Sequence, residues 1–294
     1  MDGVLVVDKP QGLTSHDVVV AARRAVGESR IGHTGTLDPL ATGVLPLACG
    51  RATRLVRFLS ASDKDYEATI RFGVATDTYD VTGTEVTRSE RRPTLPEIAS
   101  ALATFTGAYV QAPPPYSAKK IGGRRAYELA RADTAVHPAP VRVRVDRLDL
   151  VDATQNDLVV RVTCSAGFYV RSLAHDLGVR LGTAACLAAL RRTRSGEFLL
   201  TEAMDLDELV REGPAAAARI RPMAGLLPQF PAAPLTEEGH RRASHGRAVG
   251  REHLSGPMPE GADWVRLVGH DGTIVALAVP AEIPGFLHPS VVLI

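Results

Sequence analysis

The chain has 294 residues, 23% of them charged and 45% in the hydrophobic set, with 34 basic residues against 33 acidic ones for a net charge of +1. That length can bury a large core and leaves room for one large domain and a smaller one. The composition excludes a disordered or fibrous chain. The three cysteines, Cys49, Cys164 and Cys186, are far apart and form no CxxC pair, which argues against a disulfide scaffold or a zinc ribbon and fits a reducing cytoplasm. Asp8 and Lys9 interrupt the apolar opening, so no signal peptide is expected, and no apolar run is long enough to span a bilayer.

In chain order, residues 3–7 read as a buried strand and Lys9–Gly12 as its turn. Thr14 or Ser15 then opens a helix to about Val26, with Thr14 and Asp17 in capping-box spacing and Gly27 as the stop. The stretch Gly32–Gly43, GHTGTLDPLATG, is too polar and glycine-rich for a regular element. Pro39 restricts Asp38 to extended or turn geometry, so a rigid loop displays one carboxylate. On these residues alone, Asp38 and His33 either do chemistry or merely tie the loop together.

Val44–Ala48 is a compact apolar run, and 52–59 reads as an amphipathic helix. Tyr66, Ala68, Ile70 and Phe72 alternate with polar residues, the signature of a half-buried strand. Tyr66 there is either a core aromatic or a ring for stacking on a base. Asp77–Asp80 and Gly83 form a polar connection, and a helix is expected over 95–105 with Pro96 in its first turn.

Pro113–Pro115 break the pattern, and 119–131 carries five basic residues against Glu128. It reads as a projecting basic segment ending in a short helix over 125–130, or as a solvated loop. Residues 141–150 and 158–164 read as a strand pair, 168–177 and 183–190 as helices, 191–196 as a second basic stretch, and 204–211 as a further helix. Pro228, Pro231 and Pro234 mark a boundary. A small, mostly β domain follows over 231–294, with strands at 264–268 and 273–279 and an Arg/His-rich stretch, 240–247, whose plainest reading is a solvated face.

No HExxH, Walker loop or GxSxG occurs, and the nine histidines show no metal spacing. What remains is an acid-centred site beside basic surfaces. Arg171 is one available partner for the acid, since a nearby guanidinium favours a carboxylate; the alternative is a surface arginine. Arg191, Arg192 and Arg194 suit contact with phosphate or solvent better than chemistry.

Several motifs in order then carry a family resemblance: Val7–Ser15, Gly32–Gly43, Lys64–Tyr66, Pro114–Lys119, Gly123–Tyr127, Gly167–Leu173 and Leu190–Thr193. Together, across about residues 3–226, they resemble the TruB family of bacterial tRNA pseudouridine synthases, which modify uridine 55 in the T arm. The resemblance implies an α+β fold with a mixed, mainly antiparallel sheet flanked by helices, and a small C-terminal PUA-like, mostly β domain. It implies a catalytic domain over 1–230, a mobile RNA-clamping insertion at about 112–136, and an RNA-binding domain over 231–294.

Residue by residue, it implies Asp38 as the catalytic carboxylate, Tyr66 stacking on the base and assisting a proton transfer, and Arg171 pairing with Asp38. His33 is implied to hold the flipped nucleotide and Lys9 to support the loop. The implied substrate-binding set is His33, Lys9, Thr36, Lys119, Arg124, Tyr169, Arg191 and Arg192. No metal or other cofactor is needed, because nothing is oxidised and no phosphoryl group moves. The implied enzyme is cytoplasmic and monomeric, acts on tRNA, and has no membrane attachment and no obligate protein partner. Asp38 either attacks carbon or removes the C2′ proton; the second is preferred. Rival readings are a noncatalytic tRNA-folding protein, a synthase for another RNA, and a nucleotide hydrolase. The tail offers no firm motif.

Overall fold

The computed structural model describes residues 1–116, 120–121, 124–125 and 139–294. Its first element, β1 (Gly3–Lys9), is buried nearly throughout, as its Val/Leu run demands. Helix α1 (Ser15–Val26) starts at Thr14, whose hydroxyl accepts from the Asp17 amide while the Asp17 carboxylate accepts from the Thr14 amide. It stops at Gly27, which takes the left-handed φ of 71° that lets its amide bond back to Arg23 O.

Strands β2 (Ile31–His33) and β3 (Thr42–Cys49) flank the glycine-rich loop. The helix expected over 52–59 divides into a 3₁₀ segment, Gly50–Leu55, and the short α2 (Val56–Ser60). Strand β4 (Lys64–Phe72) shows the expected alternation, with Tyr66, Ala68, Ile70 and Phe72 facing the core. A small hairpin, Val74–Thr76 with Glu85–Arg88, encloses the polar turn. Helix α3 (Leu95–Ala103) carries a second capping box, Thr94 with Glu97.

Strand β5 (Gly107–Gln111) leads to the basic segment, where Lys120–Ile121 pairs with Arg124–Arg125 as two short strands. Of the helix expected over 125–130, Arg125 is therefore strand, and 126–130 lie outside the described residues. Strands β6 (Val141–Ala153) and β7 (Asp157–Cys164) form the expected pair. Helix α4 (Val170–Arg180) follows.

The helix expected over 183–190 is not formed. Residues 185–190 belong to β8 (Ala185–Ser195), which also absorbs 191–195 of the second basic stretch. β8 runs between β3 and β4 and opens on three consecutive buried residues, Ala185, Cys186 and Leu187, so it starts without the period-two pattern from which a strand could be read. Strand β9 (Met204–Asp205) replaces the first residues of the helix expected at 204, leaving α5 (Leu206–Glu212), and β10 (Arg221–Pro222) pairs back on β1.

These strands form an eleven-stranded sheet whose main path runs β9-β1-β3-β8-β4-β7-β6-β5. Only β1 with β9 and β3 with β8 are parallel. Helices α1, α4 and α5 pack into the core on one face. The mixed, mainly antiparallel sheet flanked by helices is as the sequence implied.

Beyond the proline cluster, β11 (Ala232–Pro234), α6 (Glu237–Ser244), β12 (Val249–Gly250), β13 (Val265–Val268), β14 (Ile274–Pro280) and β15 (Phe286–Val292) make a second unit. Its five-stranded sheet has the order β11-β13-β14-β15-β12. One apolar cluster joins Val4, Val44 and Phe58 to Ile274, Leu277 and Leu293, so the small sheet is packed onto the large one rather than tethered to it. Phe58 meets Trp264 edge-on at 4.7 Å, and Arg54 donates to Val292 O at 2.6 Å.

Candidate active site

The glycine-rich loop is fixed from several sides. Ser15, in the first turn of α1, donates its hydroxyl to Leu37 O at 3.0 Å and accepts from Leu37 N at 2.8 Å. Gly12 N reaches Pro39 O at 2.8 Å, and Ala41 N closes a turn on Asp38 O at 3.0 Å. Asp38 is thereby presented at a set angle with its side chain 41% exposed.

Lys9 is fully buried and donates to Pro10 O at 2.8 Å and Leu13 O at 2.7 Å, holding the turn beneath the loop. It has no surface to offer a ligand, which corrects its place in the substrate-binding set. Arg192, 1% exposed, is turned inward instead of toward solvent, donating to Val44 O at 2.7 Å and Gly35 O at 3.1 Å. The charge of an arginine does not reveal its direction; at Gly43 the missing side chain lets the backbone of β8 at Arg192 lie close against β3. A Cβ on Gly43, whose φ is 101°, would stand 2.2 Å from Arg192 O. Arg191 pairs with Asp8 at 2.6 Å, and Arg194 with Asp65 at 2.7 Å.

Opposite the loop, Gln111 pins the start of α4, its amide donating to Tyr169 O at 3.0 Å and its carbonyl accepting from Tyr169 N at 2.9 Å. Arg171, two residues on, is 7% exposed and places Nε 2.9 Å from Asp38 Oδ2. Its other nitrogens donate to Thr78 O at 3.0 Å and Tyr116 O at 2.9 Å, and Nη1 lies 3.7 Å from Asp80 Oδ2. Asp80, 6% exposed, in turn accepts from the hydroxyls of Thr78 and Thr82 and from Thr82 N at 3.0 Å. One guanidinium thus spans a displayed carboxylate and a buried one. Tyr79, between Thr78 and Asp80, holds a φ of 65° and stacks on His175 at 3.9 Å.

Loop and helix enclose a cleft of about 250 Å³ lined by Thr36, Asp38, Lys64, Tyr66, Tyr169, Arg171 and Arg192, among others. It has room for a base and not for a helix. Burial is the largest effect on the Tyr66 hydroxyl and pushes its pKa up, against the pull of the Arg192 charge, so Tyr66 is a neutral phenol at pH 7. Lys64, 7% exposed, donates to Ser60 O at 2.6 Å and Ser62 O at 2.5 Å. Burial lowers its pKa to about 8.

The structure therefore brings Asp38, Tyr66, Arg171, Thr36, Tyr169 and Arg192 to one cleft. His33, at the end of β2, and Arg191 are not in its lining. Lys119 lies outside the described residues, and Arg124 is described only as part of its short strand. Sequence reasoning missed Lys64 and Asp80. Lys64 stood in a quoted motif, and Asp80 in a connection noted only as polar.

Comparisons with known proteins now decide the family. Residues 23–170 match the model of the TruB family pseudouridylate synthase (N terminal domain), and 171–226 match the tRNA pseudouridylate synthase B C-terminal domain. The chain belongs to the TruB family. It is 43% identical over 300 residues to the tRNA pseudouridine synthase B of Solibacter usitatus, covering 100% of both chains. It is 47% identical over 252 residues to that of Symbiobacterium thermophilum, covering 84% of this chain and 83% of the relative.

Among solved structures, it resembles a chain of an H/ACA RNP bound to a substrate RNA containing 2'-deoxyuridine, with a TM-score of 0.75 and 25% identity over 99% of this chain and 85% of that one. A Cbf5-Nop10-Gar1 complex gives 0.73 and 28%, over 94% and 78%. Family membership makes the chain an RNA pseudouridine synthase, an isomerase. Among the described residues no helix is long and apolar enough to cross a membrane.

Proposed function

We propose that this chain isomerises uridine 55 in the T arm of tRNA to pseudouridine, as a cytoplasmic monomer with no obligate protein partner. The observation that carries the reading is the Arg171–Asp38 pair, 2.9 Å apart, at the mouth of a one-base cleft walled by Tyr66. A paired base inside a helix cannot reach such a cleft. The uridine must leave the stack, at a cost of a few kcal/mol offset by contacts in the pocket.

Asp38 is held by the loop and kept in place by Arg171, which meets the positional demand on a catalytic carboxylate. Its preferred role is to take the C2′ proton. As the C1′–N1 bond breaks, the electron pair leaves on the uracil, and the sugar becomes a glycal. The ring turns, C5 bonds to C1′, the C2′ proton returns, C5 loses its proton and N1 gains one. The atoms balance without a cofactor. Tyr66 supplies a ring to stack on the base and a neutral hydroxyl for proton transfer. Thr36 and Tyr169 serve as rim contacts, and His33 steadies the flipped nucleotide.

Residues 1–230 are read as the catalytic domain. The segment at about 112–136, with Lys119 and Arg124, is read as the clamp on the T arm, joined by phosphate contact from Arg191, whose side chain is 40% exposed. The unit at 231–294 is read as a PUA-like RNA-binding domain. Its α6 carries Arg241 and Arg242 in the last turn.

Asp38→Asn is expected to abolish pseudouridine formation while tRNA binding persists, a loss of roughly 10²- to 10⁴-fold or more for a displaced acid–base group. Mapping pseudouridine in treated tRNA and measuring binding by filter retention checks both. Product at position 55 from the Asn variant would overturn the role of Asp38; wild-type product only at other positions would overturn the substrate.

A further inference from the structure

Lys9, Lys64 and Arg192 are buried cations, and among the described residues none of them forms an ion pair. A buried charge without a counter-ion is costly, and natural proteins seldom keep one without use. Lys9 faces the underside of the loop. Lys64 and Arg192 line the cleft itself and meet beneath Gly35, where a Cβ would stand 3.5 Å from Arg192 Nη1 and 4.0 Å from Lys64 Cε. The Lys64 ammonium is anchored by two carbonyls at the end of α2, Ser60 O and Ser62 O, so its position is set before any ligand arrives.

The missing anion can be found by following the charge through the proposed reaction, on which this inference rests. At the start, the negative charge is on Asp38, beside Arg171. If Asp38 takes the C2′ proton, it becomes neutral and the uracil leaves with the electron pair. If Asp38 instead attacks C1′, the ester formed is neutral and the uracil again carries the charge. Either route moves one negative charge from Asp38 onto the base.

We propose that Lys64, with Arg192 beside it, is the electrostatic receptor for the uracil anion. Lys64 makes the departure of the base easier in a dry site where a fixed charge acts strongly. Arg171 holds the acid, and Lys64 favours the charge once it has left.

Lys64 differs from an ordinary lysine in that its charge is lost at moderate alkaline pH. Its pKa is lowered from 10.5 to about 8, chiefly by burial and next by the Arg192 charge. The groups facing it are Asp63 just before it, Cys164 on β7, and Arg192 and Arg194 on β8, with Tyr66 in the same cleft wall and Asp38 and Arg171 among the other residues lining that cleft. The Cys164 thiol is pushed up to about 12 by burial, so it stays neutral over the range in which Lys64 titrates.

The test is single-turnover base detachment on a T-arm RNA carrying uridine or 5-fluorouridine at the target position, followed by loss of the N-glycoside. Fluorine stabilises the departing anion, so it substitutes in part for a missing cation. Lys64→Met is expected to slow the uridine reaction by roughly 10- to 100-fold, with the RNA dissociation constant unchanged, and to slow the 5-fluorouridine reaction much less. The wild-type uridine rate is expected to fall above about pH 8, more steeply than the 5-fluorouridine rate, and this limb is absent in Lys64→Met. Should the variant fold poorly, the two wild-type pH profiles still decide.

Equal slowing of both substrates, parallel pH profiles, or an unimpaired Lys64→Met enzyme would each overturn the proposal. Failure of the underlying reading looks different: the wild-type protein would form no pseudouridine at all, and the proposal would fall with it.

Discussion

In the large sheet the side chains buried around the cleft include Lys9, Lys64, Asp80, Arg171 and Arg192, whereas the buried side chains of the small C-terminal sheet are apolar throughout. The two regions are similarly sealed from water and are joined by one hydrophobic cluster, yet they use burial for opposite ends. In the small sheet, burial gives stability by removing hydrocarbon from water. Around the cleft it works against stability, desolvating charges so that they act strongly on one another and on whatever enters. Perturbed, buried ionisable groups gather where chemistry occurs. The difference separates the part of the molecule that reacts from the part that supports it.

The sharpest way to break this contrast is Arg171→Ala. It leaves Asp80 buried without its cation and Asp38 without its partner. Both turnover and about 3–5 kcal/mol of stability should be lost, as for other broken buried pairs, read by pseudouridine yield and urea denaturation. Wild-type stability in that variant would mean that Asp80 does not depend on the guanidinium. Next is Leu277→Ala in the small sheet, where Leu277 is fully buried. A cost of about 3 kcal/mol is expected for the cavity, with the rate unchanged at a temperature where the variant is folded. A fall in rate would show that the supporting region also acts on the chemistry.

A smaller effect follows from pH. Burial holds Lys9 and Lys64 at about 8 instead of 10.5, so the unfolded chain binds more protons than the folded one above pH 8 and stability rises with pH there. The buried thiols act in the other direction, with Cys49 and Cys186 raised to about 11 and Cys164 to about 12 from 9.0, so their contribution is lost as pH climbs past 9. The net expectation is a gain of about 1 kcal/mol between about pH 7 and 8.5 that reverses above about pH 9, seen in the urea midpoint. A midpoint that falls from the start would contradict the burial of the two lysines. Smallest is Arg71→Ala. It breaks an exposed pair with Asp157 at 2.9 Å and should cost less than about 1 kcal/mol.

How much of this was legible depended on whether the signal was local. The Thr14–Asp17 cap, the Gly27 stop and the alternation from Tyr66 to Phe72 are short-range devices, and each is present as expected. The loop displaying Asp38 could be read from its glycines and Pro39, and the family motifs supplied its partner. β8 could not be read, because a strand that lies between two others and opens on three consecutive buried residues has the same apolar run as a helix segment. Arg192 was read as surface because charge normally means surface. Its inward side chain bonds to Val44 O and Gly35 O, which are distant in the chain and are brought near by the parallel pairing of β8 with β3. Asp80 and Lys64 were missed because, although their hydrogen bonds are local, the groups that bring them to the site, Arg171 beside Asp80 and Arg192 beside Lys64, come from distant parts of the chain.

The pairing of β1 has a consequence for the order of synthesis. One edge of this strand is covered by β3, only tens of residues later, but the other is closed by Met204–Asp205 and Arg221–Pro222. A chain emerging from the ribosome must therefore carry its first strand half-paired until most of its length has been made. Contacts this distant along the chain slow folding, and an open strand edge invites foreign pairing while it waits. The nascent protein is most exposed to misassembly in that interval, so a fragment ending before 204 is expected to aggregate even though its catalytic loop is complete.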